Sequence, residues 1–270
     1  MFDRKDLAEV GVIGGSGFYE LLSDVHYHAI QTPYGPPSDR LAIGTYDGVR
    51  VAFLARHGQG HRYPPHQINY RANIWALASV GVTRILGPNA SGSLQPQVKP
   101  GDFVVCDQFV DRTYGRDQTF YDGPPVVHIA GAEPYCPELR ELATSAGREL
   151  GITVHDRGTV VVIQGPRFST RSESRWFSSA GWEVINMTQF PEQVLARELE
   201  VCYAGISLIT DYDAGLEGRD DVEPVSVAGV VEVFHQNNAR VRDVLLRMIP
   251  RIGRQRSCIC ATALTGAVIG

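Results

Sequence analysis

The chain has 270 residues, of which 43% are hydrophobic, and this length predicts one domain built around a single large core. Its 25 basic and 30 acidic residues give a net charge of −5, which argues against nucleic-acid-binding proteins and proteins that dock on anionic membranes. No apolar run approaches the length of a membrane span, and residues 1–9 lack the apolar stretch of a signal peptide, so we expect a soluble cytoplasmic protein.

Apolar β-branched runs alternate with helical patterns along the chain. Strands are predicted, in chain order, over residues 9–15, 49–57, 83–90, 101–111, 158–165, 182–188 and 205–213. Helices are predicted over residues 69–81, 136–151, 171–181, 191–200 and 227–253. This alternation predicts an α/β fold whose sheet is covered by helices on both faces. No linker interrupts it, so residues 1–270 are taken as one domain, with the C-terminal helix and tail from about 226 packed on it.

The first predicted strand runs into a glycine turn, GVIGGSGFYE, that resembles a phosphate-binding loop. A dinucleotide fingerprint fails because Glu20 stands where the third glycine belongs. A Walker loop fails because no lysine lies between Lys5 and Lys99. Two interpretations remain open: a tight turn without a ligand, or a turn that offers backbone N–H groups and the Ser16 hydroxyl to one compact anion.

Three further strand ends carry polar groups that suit the same anion. Arg56 and His57 end the second strand, and a guanidinium fork matches phosphate oxygens. Asn89 and Ala90 end the third strand in a small-residue turn, and Thr188 ends the strand over residues 182–188. Each feature alone is compatible with an ordinary surface, but together they predict one anion site at the carboxyl edge of the sheet.

Two carboxylates end the last predicted strand, in the segment TDYD. Asp211 and Asp213 are two residues apart, so in extended geometry they lie on one face of the strand. They either begin a solvated loop or provide a carboxyl group that protonates a leaving group. The sequence alone leaves both interpretations open.

The five cysteines, at positions 106, 136, 202, 258 and 260, are scattered. Their spacing predicts neither a disulfide framework nor a four-ligand zinc site. A strained local disulfide between Cys258 and Cys260 stays open, although most cytosolic cysteines are free thiols.

Several ordered segments resemble one family, the 5′-methylthioadenosine phosphorylase branch of the trimeric purine nucleoside phosphorylases. The matching segments are GVIGGSGFY, RHGxxH, INYRANIWAL, GDFVVCDQFVDRT, TFYDG, EPYCPELR, IQGPRFSTRSES, INMTQFPEQVLAREL and CYAGISLITDYD. The resemblance implies a twisted mixed sheet flanked by helices and a homotrimer or dimer of trimers. It also implies no metal or organic cofactor, with inorganic phosphate as co-substrate. The implied reaction is phosphorolysis of 5′-methylthioadenosine to adenine and 5-methylthioribose 1-phosphate, in methionine and purine salvage.

The resemblance also implies a role for individual residues. The implied phosphate-binding residues are Ser16, Arg56, His57, Asn89, Ala90 and Thr188. The implied catalytic residues are Asp211 and Asp213, which face N7 and the exocyclic amine of adenine. Other implied substrate contacts are Phe168 against the base, Met187 beneath the ribose, and His128, Pro65, Val227 and Val230 around the 5′ group.

Two positions depart from the branch. Asn89 stands where threonine is usual, and asparagine is typical of the branch that handles 6-oxopurines; Gln59 replaces a commonly basic residue. A phosphorylase for 6-oxopurine or 5′-modified nucleosides, such as 5′-halogenated ones, therefore stays open. A non-catalytic nucleoside-binding module is the remote alternative, and the presence of Arg56, His57, Asp211 and Asp213 argues against it.

Overall fold

The computed structural model describes residues 4–15, 22–216 and 227–269, with side chains for all of these except residues 227–237. Its strands are β1 (Val10–Gly14), β2 (Ser23–His28), β3 (Leu41–Tyr46), β4 (Val49–Ala55), β5 (Arg84–Ser93), β6 (Phe103–Val105), β7 (Gln108–Arg112), β8 (Val126–Val127), β9 (Val154–His155), β10 (Thr159–Ile163), β11 (Val184–Asn186), β12 (Cys202–Tyr212) and β13 (Val268–Ile269). Its helices are α1 (Tyr70–Ser79), α2 (Pro137–Glu149), α3 (Arg171–Ser179), α4 (Gln189–Glu198) and α5 (Val227–Met248).

The predicted α/β class is confirmed, and each predicted helix is present. The strand expected over residues 101–111 is two strands, because β6 and β7 turn to different partners on either side of Cys106 and Asp107. The short strands β2, β3, β8, β9 and β13 were not predicted. In β2 the reason is its sequence, SDVHYH, which is polar and largely exposed at the edge of the sheet and so lacks an apolar pattern.

Eleven strands form one mixed sheet that branches at β5. Along one path the order is β2-β3-β4-β1-β5-β11-β10-β7, and β12 joins the other edge of β5 and continues to β6 and β9. Strands β1 and β12 run parallel to β5, whereas β11 runs antiparallel to it. The two remaining strands, β8 and β13, form a separate antiparallel ribbon.

Helices cover the central sheet on both faces, as the apolar strands require. One apolar cluster includes Ile74 of α1 and Leu195 of α4. A second cluster includes Leu139 of α2 and Val244 of α5. Burial against these two clusters keeps β5 and β12 inaccessible along most of their length, so only their carboxyl ends reach the surface.

Local sequence sets the ends of several helices. The Asn69 side chain accepts a hydrogen bond from the backbone N–H of Ala72 at 3.1 Å and so caps α1. Thr170 and Glu173 form a capping box at the start of α3. Helix α5 ends at Met248, two residues before Pro250. Within the described residues, no helix combines the length and the apolar character that crossing a membrane requires.

Candidate active site

The carboxyl ends of β1 and β11 meet along one edge of β5. Strand β1 pairs with β5 as far as Leu86, whereas β11 pairs with it only at Gly92 and Ser93. Strand β12 occupies the opposite edge throughout. Among the described residues, the stretch 87–91 therefore has no strand partner on the edge that β1 and β11 share. This gap leaves an edge of β5 without strand pairing at the point where the sequence predicted an anion site.

Arg56 directly follows β4, and its buried guanidinium lies at the base of this gap. Its guanidinium donates from Nε and Nη2 to the two Glu192 carboxylate oxygens, at 2.7 and 3.0 Å. It also donates to the carbonyl of Pro88 in β5 and the carbonyl of Ile13 in β1, both at 2.9 Å. The Arg56 and Glu192 side chains are 3% and 0% exposed. The pair therefore holds β1, β5 and α4 together at the base of the site.

This arrangement bears on the predicted role of Arg56. Four of its five N–H groups are used by protein acceptors, and the bidentate fork is directed at Glu192. The contact between Arg56 and phosphate thus stays a prediction, whereas its role in joining two strands is a property of the fold.

Asn89 lies in a buried polar network rather than in an open turn. Its Oδ1 accepts from Ser91 Oγ at 2.8 Å, from Asn186 Nδ2 at 2.9 Å and from Ser207 Oγ at 3.2 Å. Gln189 extends the network, since it donates to Ser207 Oγ and accepts from the Tyr135 hydroxyl at 2.6 Å. The network joins β5, β11 and β12, and it fixes the backbone of Asn89 and Ala90 beside the gap.

The other predicted phosphate ligands flank this backbone. Asn186 Oδ1 accepts from the backbone N–H of Thr188 at 3.3 Å, which places Thr188 at the end of β11. Among the described residues, the Thr188 hydroxyl makes no capping bond to α4. Ser16 lies outside the described residues; the strand that leads to it, β1, ends at Gly14 beside Arg56.

His57 is held in one orientation next to Arg56. Its Nδ1 lies 2.9 Å from the carbonyl oxygen of Tyr63, so Nδ1 carries the proton and Nε2 is an acceptor in the neutral ring. The ring stacks on His61 with centroids 4.0 Å apart. The pKa of His57 is lowered to about 4, chiefly by burial; the bond to Tyr63 opposes this shift, and the charges of His61 and Arg56 add to it. The ring is therefore neutral near pH 7.

Asp211 and Asp213 lie side by side next to β5. Opposite them, a Cβ added to Gly92 would lie 3.1 Å from Asp211 Oδ1 and 3.6 Å from Asp213 Cβ, so glycine leaves room for both. Asp213 Oδ2 accepts a short hydrogen bond, 2.5 Å, from Ser169 Oγ. Asp211 Oδ2 accepts from Thr210 Oγ1 at 2.7 Å. Of the two interpretations from sequence, the solvated loop is wrong, because Asp213 is only 3% exposed.

The pKa of Asp211 is raised to about 6, chiefly by burial; the hydrogen bond from Thr210 opposes this shift, and the charge of Asp213 adds to it. A carboxyl group with this pKa exchanges a proton close to neutral pH, as an acid in a glycosidic bond cleavage must. The pair thus has the electrostatic character expected of a proton-donating site.

We expect Asp211→Asn to change how stability depends on pH. The Asp211 pKa is about 6 in the folded protein against 3.8 for the free side chain, so the folded state binds more protons between these values. The wild-type free energy of unfolding therefore falls through this group as the pH rises from about 4 to about 6, by at most about 3 kcal/mol. Asparagine does not titrate, and the variant lacks this decrease.

Urea denaturation from pH 4 to pH 8 checks this. The variant should gain stability relative to wild type as the pH rises through this window, and the difference should then stay constant. A difference that does not change with pH would contradict the raised pKa.

Met187 and Pro65 form a second group, on the other side of Thr188. A Cβ on Gly165, whose φ is +64°, would lie 2.7 Å from Met187 Sδ and 3.3 Å from Pro65 Cγ, so only glycine allows this approach. The Tyr70 hydroxyl donates to the carbonyl of Pro65 at 2.8 Å, and Arg116 donates to the carbonyl of Met187 at 2.9 Å. The structure thus brings together the residues predicted beneath the ribose and near its 5′ group.

The remaining predicted contacts are dispersed. Phe168 directly precedes Ser169 and is 41% exposed, so its ring is free to contact a ligand held by Asp213. His128 is exposed next to the β8–β13 ribbon, where its backbone N–H donates to the carbonyl of Ala267. Among the described residues, no hydrogen bond links His128 to the aspartates. The side chains of Val227 and Val230 lie outside the described residues.

Three supporting residues were not predicted from the sequence. Glu192, Ser169 and Gln189 each contact a predicted site residue or its backbone. Ser169 and Gln189 stand next to predicted residues, in PRFST and MTQF, and this proximity was the available signal. Glu192 had none, because a glutamate in a helix is normally solvated.

Known proteins are similar to this chain over nearly its full length. The family model described as "Phosphorylase superfamily" matches residues 9–250. An S-methyl-5′-thioadenosine phosphorylase of Thermofilum pendens is 49% identical, over 97% of this chain and 98% of the relative. A purine nucleoside phosphorylase of Streptomyces coelicolor is 52% identical, over 97% of this chain and 96% of the relative. The structure of a methylthioadenosine phosphorylase from Schistosoma mansoni in complex with adenine is 39% identical, with a TM-score of 0.89 over 96% of this chain and 98% of that one.

Proposed function

The chain belongs to the purine nucleoside phosphorylases of the phosphorylase superfamily, and on this premise we propose that it cleaves 5′-methylthioadenosine with inorganic phosphate. The products are adenine and 5-methylthioribose 1-phosphate. A phosphate oxygen forms a bond to C1′ of the ribose as the bond from C1′ to N9 of the purine breaks. The electron pair of the broken bond stays on the base, where a proton added at N7 neutralises it.

The pairing of Asp211 and Asp213 beside Gly92 is the observation that supports this proposal most. A carboxyl group at the base edge protonates N7, and a carboxylate accepts hydrogen bonds from the exocyclic amine of adenine. The Ser169 hydroxyl fixes the orientation of Asp213, and burial of Asp211 favours its protonated form. Together they fit a 6-aminopurine, which presents both groups on one edge.

The gap along β5 supplies the phosphate subsite in this proposal. In this proposal, backbone N–H groups near Asn89 and Ala90 and the Thr188 hydroxyl bind one phosphate dianion beside the gap, together with Ser16 as the sequence predicted. Neutral His57 accepts through Nε2, which suits the P–OH group of monohydrogen phosphate. Holding the anion below C1′ provides both proximity and electrostatic stabilisation of the developing ribosyl cation.

We expect base release to require inorganic phosphate. In this proposal the bound phosphate, rather than water, is the nucleophile that attacks C1′. Release of adenine from 5′-methylthioadenosine, followed by absorbance with and without phosphate, checks this, and the sugar product should be a 1-phosphate. Substantial hydrolysis in phosphate-free buffer would show a hydrolase instead.

We also expect 5′-methylthioadenosine to be preferred over adenosine by at least about tenfold in kcat/KM. The sulfur substituent is apolar, and Pro65 and Met187 provide apolar surface near the proposed 5′ end. A 5′-hydroxyl buried there would lose its hydrogen bonds to water, which costs about 1 to 3 kcal/mol. Parallel kinetics on the methylthio, chloro and hydroxyl nucleosides measure the preference. Equal turnover of adenosine would indicate a general nucleoside phosphorylase.

Asn89 favours a second candidate function, phosphorolysis of 6-oxopurine nucleosides, and a purine nucleoside phosphorylase is among the similar proteins. A panel that adds inosine and guanosine decides between the two functions. In the structure the Asn89 side chain is directed into the buried network, so it acts on specificity only through the backbone of β5. We therefore rank the adenine nucleoside first.

The setting of the reaction belongs to the same proposal. We place the chain in methionine and purine salvage, in the cytoplasm, as a homotrimer or a dimer of trimers in which a neighbouring subunit completes the 5′ pocket. His128 is exposed and, among the described residues, has no hydrogen bond to the aspartates, which suits a residue that acts in a neighbouring subunit's pocket. Light scattering combined with activity on dilution tests this, because a fully active monomer would exclude a shared pocket.

A further inference from the structure

Four of the five cysteines converge in the fold although the sequence separates them. The Sγ atoms of Cys136, Cys202, Cys258 and Cys260 all lie within 4.8 Å of one another. The four residues are 0%, 0%, 8% and 1% exposed. The fifth, Cys106, lies elsewhere, in the network of Gln189 and Ser207.

Each of the four thiols comes from a rigid or well-bonded position. Cys136 is the residue directly before α2, and its backbone N–H donates to the carbonyl of Tyr203 at 3.0 Å. Cys202 begins β12, and its backbone N–H donates to the carbonyl of Thr83 at 2.9 Å. Cys258 and Cys260 lie at the start of a short 3-10 helix, Ile259–Thr262, in the segment after α5. The cluster thus joins this C-terminal segment to the sheet and to α2.

The spacing of the sulfur atoms fits a tetrahedral metal site. Zinc–thiolate bonds of about 2.3 Å place the sulfur atoms of a tetrahedron about 3.8 Å apart. The Sγ atoms of Cys202 and Cys258 are 3.4 Å apart, and the largest separation in the cluster is within 4.8 Å. The separation of about 3.8 Å that a zinc tetrathiolate requires lies between these two values.

The surroundings supply positive charge for such a centre. Arg84 lies opposite Cys202 in the register of β5 and β12, and its guanidinium, which also forms an ion pair with Glu138, interacts electrostatically with Cys202 and Cys136. Its Nε is buried and has no partner among the described residues. Arg197 interacts in the same way with Cys260. Guanidinium groups offset the charge of a tetrathiolate, and N–H donors beside metal-bound sulfur stabilise it.

We propose that Cys136, Cys202, Cys258 and Cys260 bind one Zn²⁺ ion as a structural tetrathiolate site. The four thiols lose four protons and the ion replaces them, which leaves a centre of net charge −2. This proposal replaces the expectation from sequence that no metal is bound.

The proposed zinc site has a structural role because it lies far from the aspartates of the candidate active site. Cys202 begins the strand whose other end carries Asp211, and nine residues of extended chain span about 30 Å. The ion would hold the segment after α5, which has little regular structure, against the base of β12. Loss of the metal should therefore lower stability much more than it alters KM.

Two disulfides are the chemical alternative for the same four thiols. Four cysteines allow three pairings, and the cluster gives each sulfur more than one partner within reach. A metal ion uses all four contacts together, whereas a disulfide needs each pair to approach to about 2.05 Å and to lose contact with the other pair. The cluster is also buried, which protects a bound ion from exchange.

The first test measures metal in the full-length protein, purified without a polyhistidine tag and under reducing conditions. We expect about one zinc per chain by inductively coupled plasma mass spectrometry. After removal of the metal, Co²⁺ should restore one equivalent with the intense visible absorption of tetrahedral cobalt thiolate. Absence of zinc after growth with added zinc, or iron in its place, would overturn the proposal.

Variants locate the metal. Cys202→Ser and Cys260→Ser should each retain less than about a tenth of the wild-type zinc, and their unfolding midpoints should fall. Cys106→Ser is the matched control, since it removes a buried cysteine outside the cluster and should keep the full metal content. Equal zinc in all of these proteins would show that the metal binds elsewhere.

Thiol counting needs no variant and separates the metal from disulfides. Protein denatured with a chelator but without reductant should show five reactive thiols, the full cysteine content of the chain. Two disulfides would leave only Cys106 reactive. Five thiols with stoichiometric zinc support the site, whereas one thiol, or five thiols without zinc, would contradict it.

Discussion

Asp213→Asn is expected to lower kcat/KM for 5′-methylthioadenosine by about 10²- to 10⁴-fold, the range for loss of an acid or base at a reacting centre. The amide neither releases a proton to N7 nor accepts two hydrogen bonds as a carboxylate does. It does donate to a 6-oxo group, so the loss on inosine should be far smaller. Initial rates at saturating phosphate on both nucleosides measure the difference.

The fold provides controls for this experiment. Asparagine is nearly isosteric with aspartate, and its Oδ1 still accepts from Ser169, so the unfolding midpoint should change little. Ser169→Ala keeps the carboxylate but frees its orientation, and it should reduce kcat less than Asp213→Asn does. Asp156→Asn, an exposed residue, should leave both rates unchanged. Equal losses on adenine and hypoxanthine nucleosides would refute the assignment of Asp213 to the base edge.

Glu192→Gln is expected to lower the free energy of unfolding by about 3 to 5 kcal/mol, because it leaves the Arg56 guanidinium buried without its counter-charge. Glu192 also accepts from the Tyr203 hydroxyl at 2.7 Å, so the change disturbs a second buried group. Urea unfolding at neutral pH measures the loss.

An exposed pair is the control for this prediction. The side chains of Arg148 and Asp156 are 55% and 51% exposed and lie 3.1 Å apart, and surface pairs of this kind contribute at most about 1 kcal/mol. Asp156→Asn should therefore change stability much less than Glu192→Gln. Similar small losses in the two variants would mean that the Arg56 charge reaches solvent and is free to bind phosphate.

The prediction for Asp213 concerns catalysis at the site, whereas the prediction for Glu192 concerns the stability of the fold around it. Arg56 is one of the residues that the sequence predicted in the phosphate subsite, and the structure pairs it with Glu192. If Arg56 both stabilises the fold and contacts phosphate, then Arg56→Lys should raise the KM for phosphate as well as reduce stability. Lysine keeps the charge but lacks the planar fork. A stability loss with an unchanged KM would assign Arg56 to the fold alone.

The sequence by itself determined the α/β class, the five helices and the strand ends that carry the polar residues. These features follow from local patterns, since apolar periodicity, glycine turns and helix caps act within a few residues. The order of the short motifs also determined the family, and with it the adenine nucleoside as the expected substrate.

Only the tertiary structure decided how the site is built and what holds it. Arg56 meets Glu192 across 136 positions, Asp213 meets Ser169 across 44, and four cysteines from three separate segments meet at the base of β12. The hydrophobic pattern around one residue of such a contact does not depend on its distant partner. The contact therefore cannot be predicted from hydrophobic periodicity. Burial then decides the chemistry: it makes Glu192 a counter-ion, raises the pKa of Asp211, and turns scattered thiols into a set of ligands.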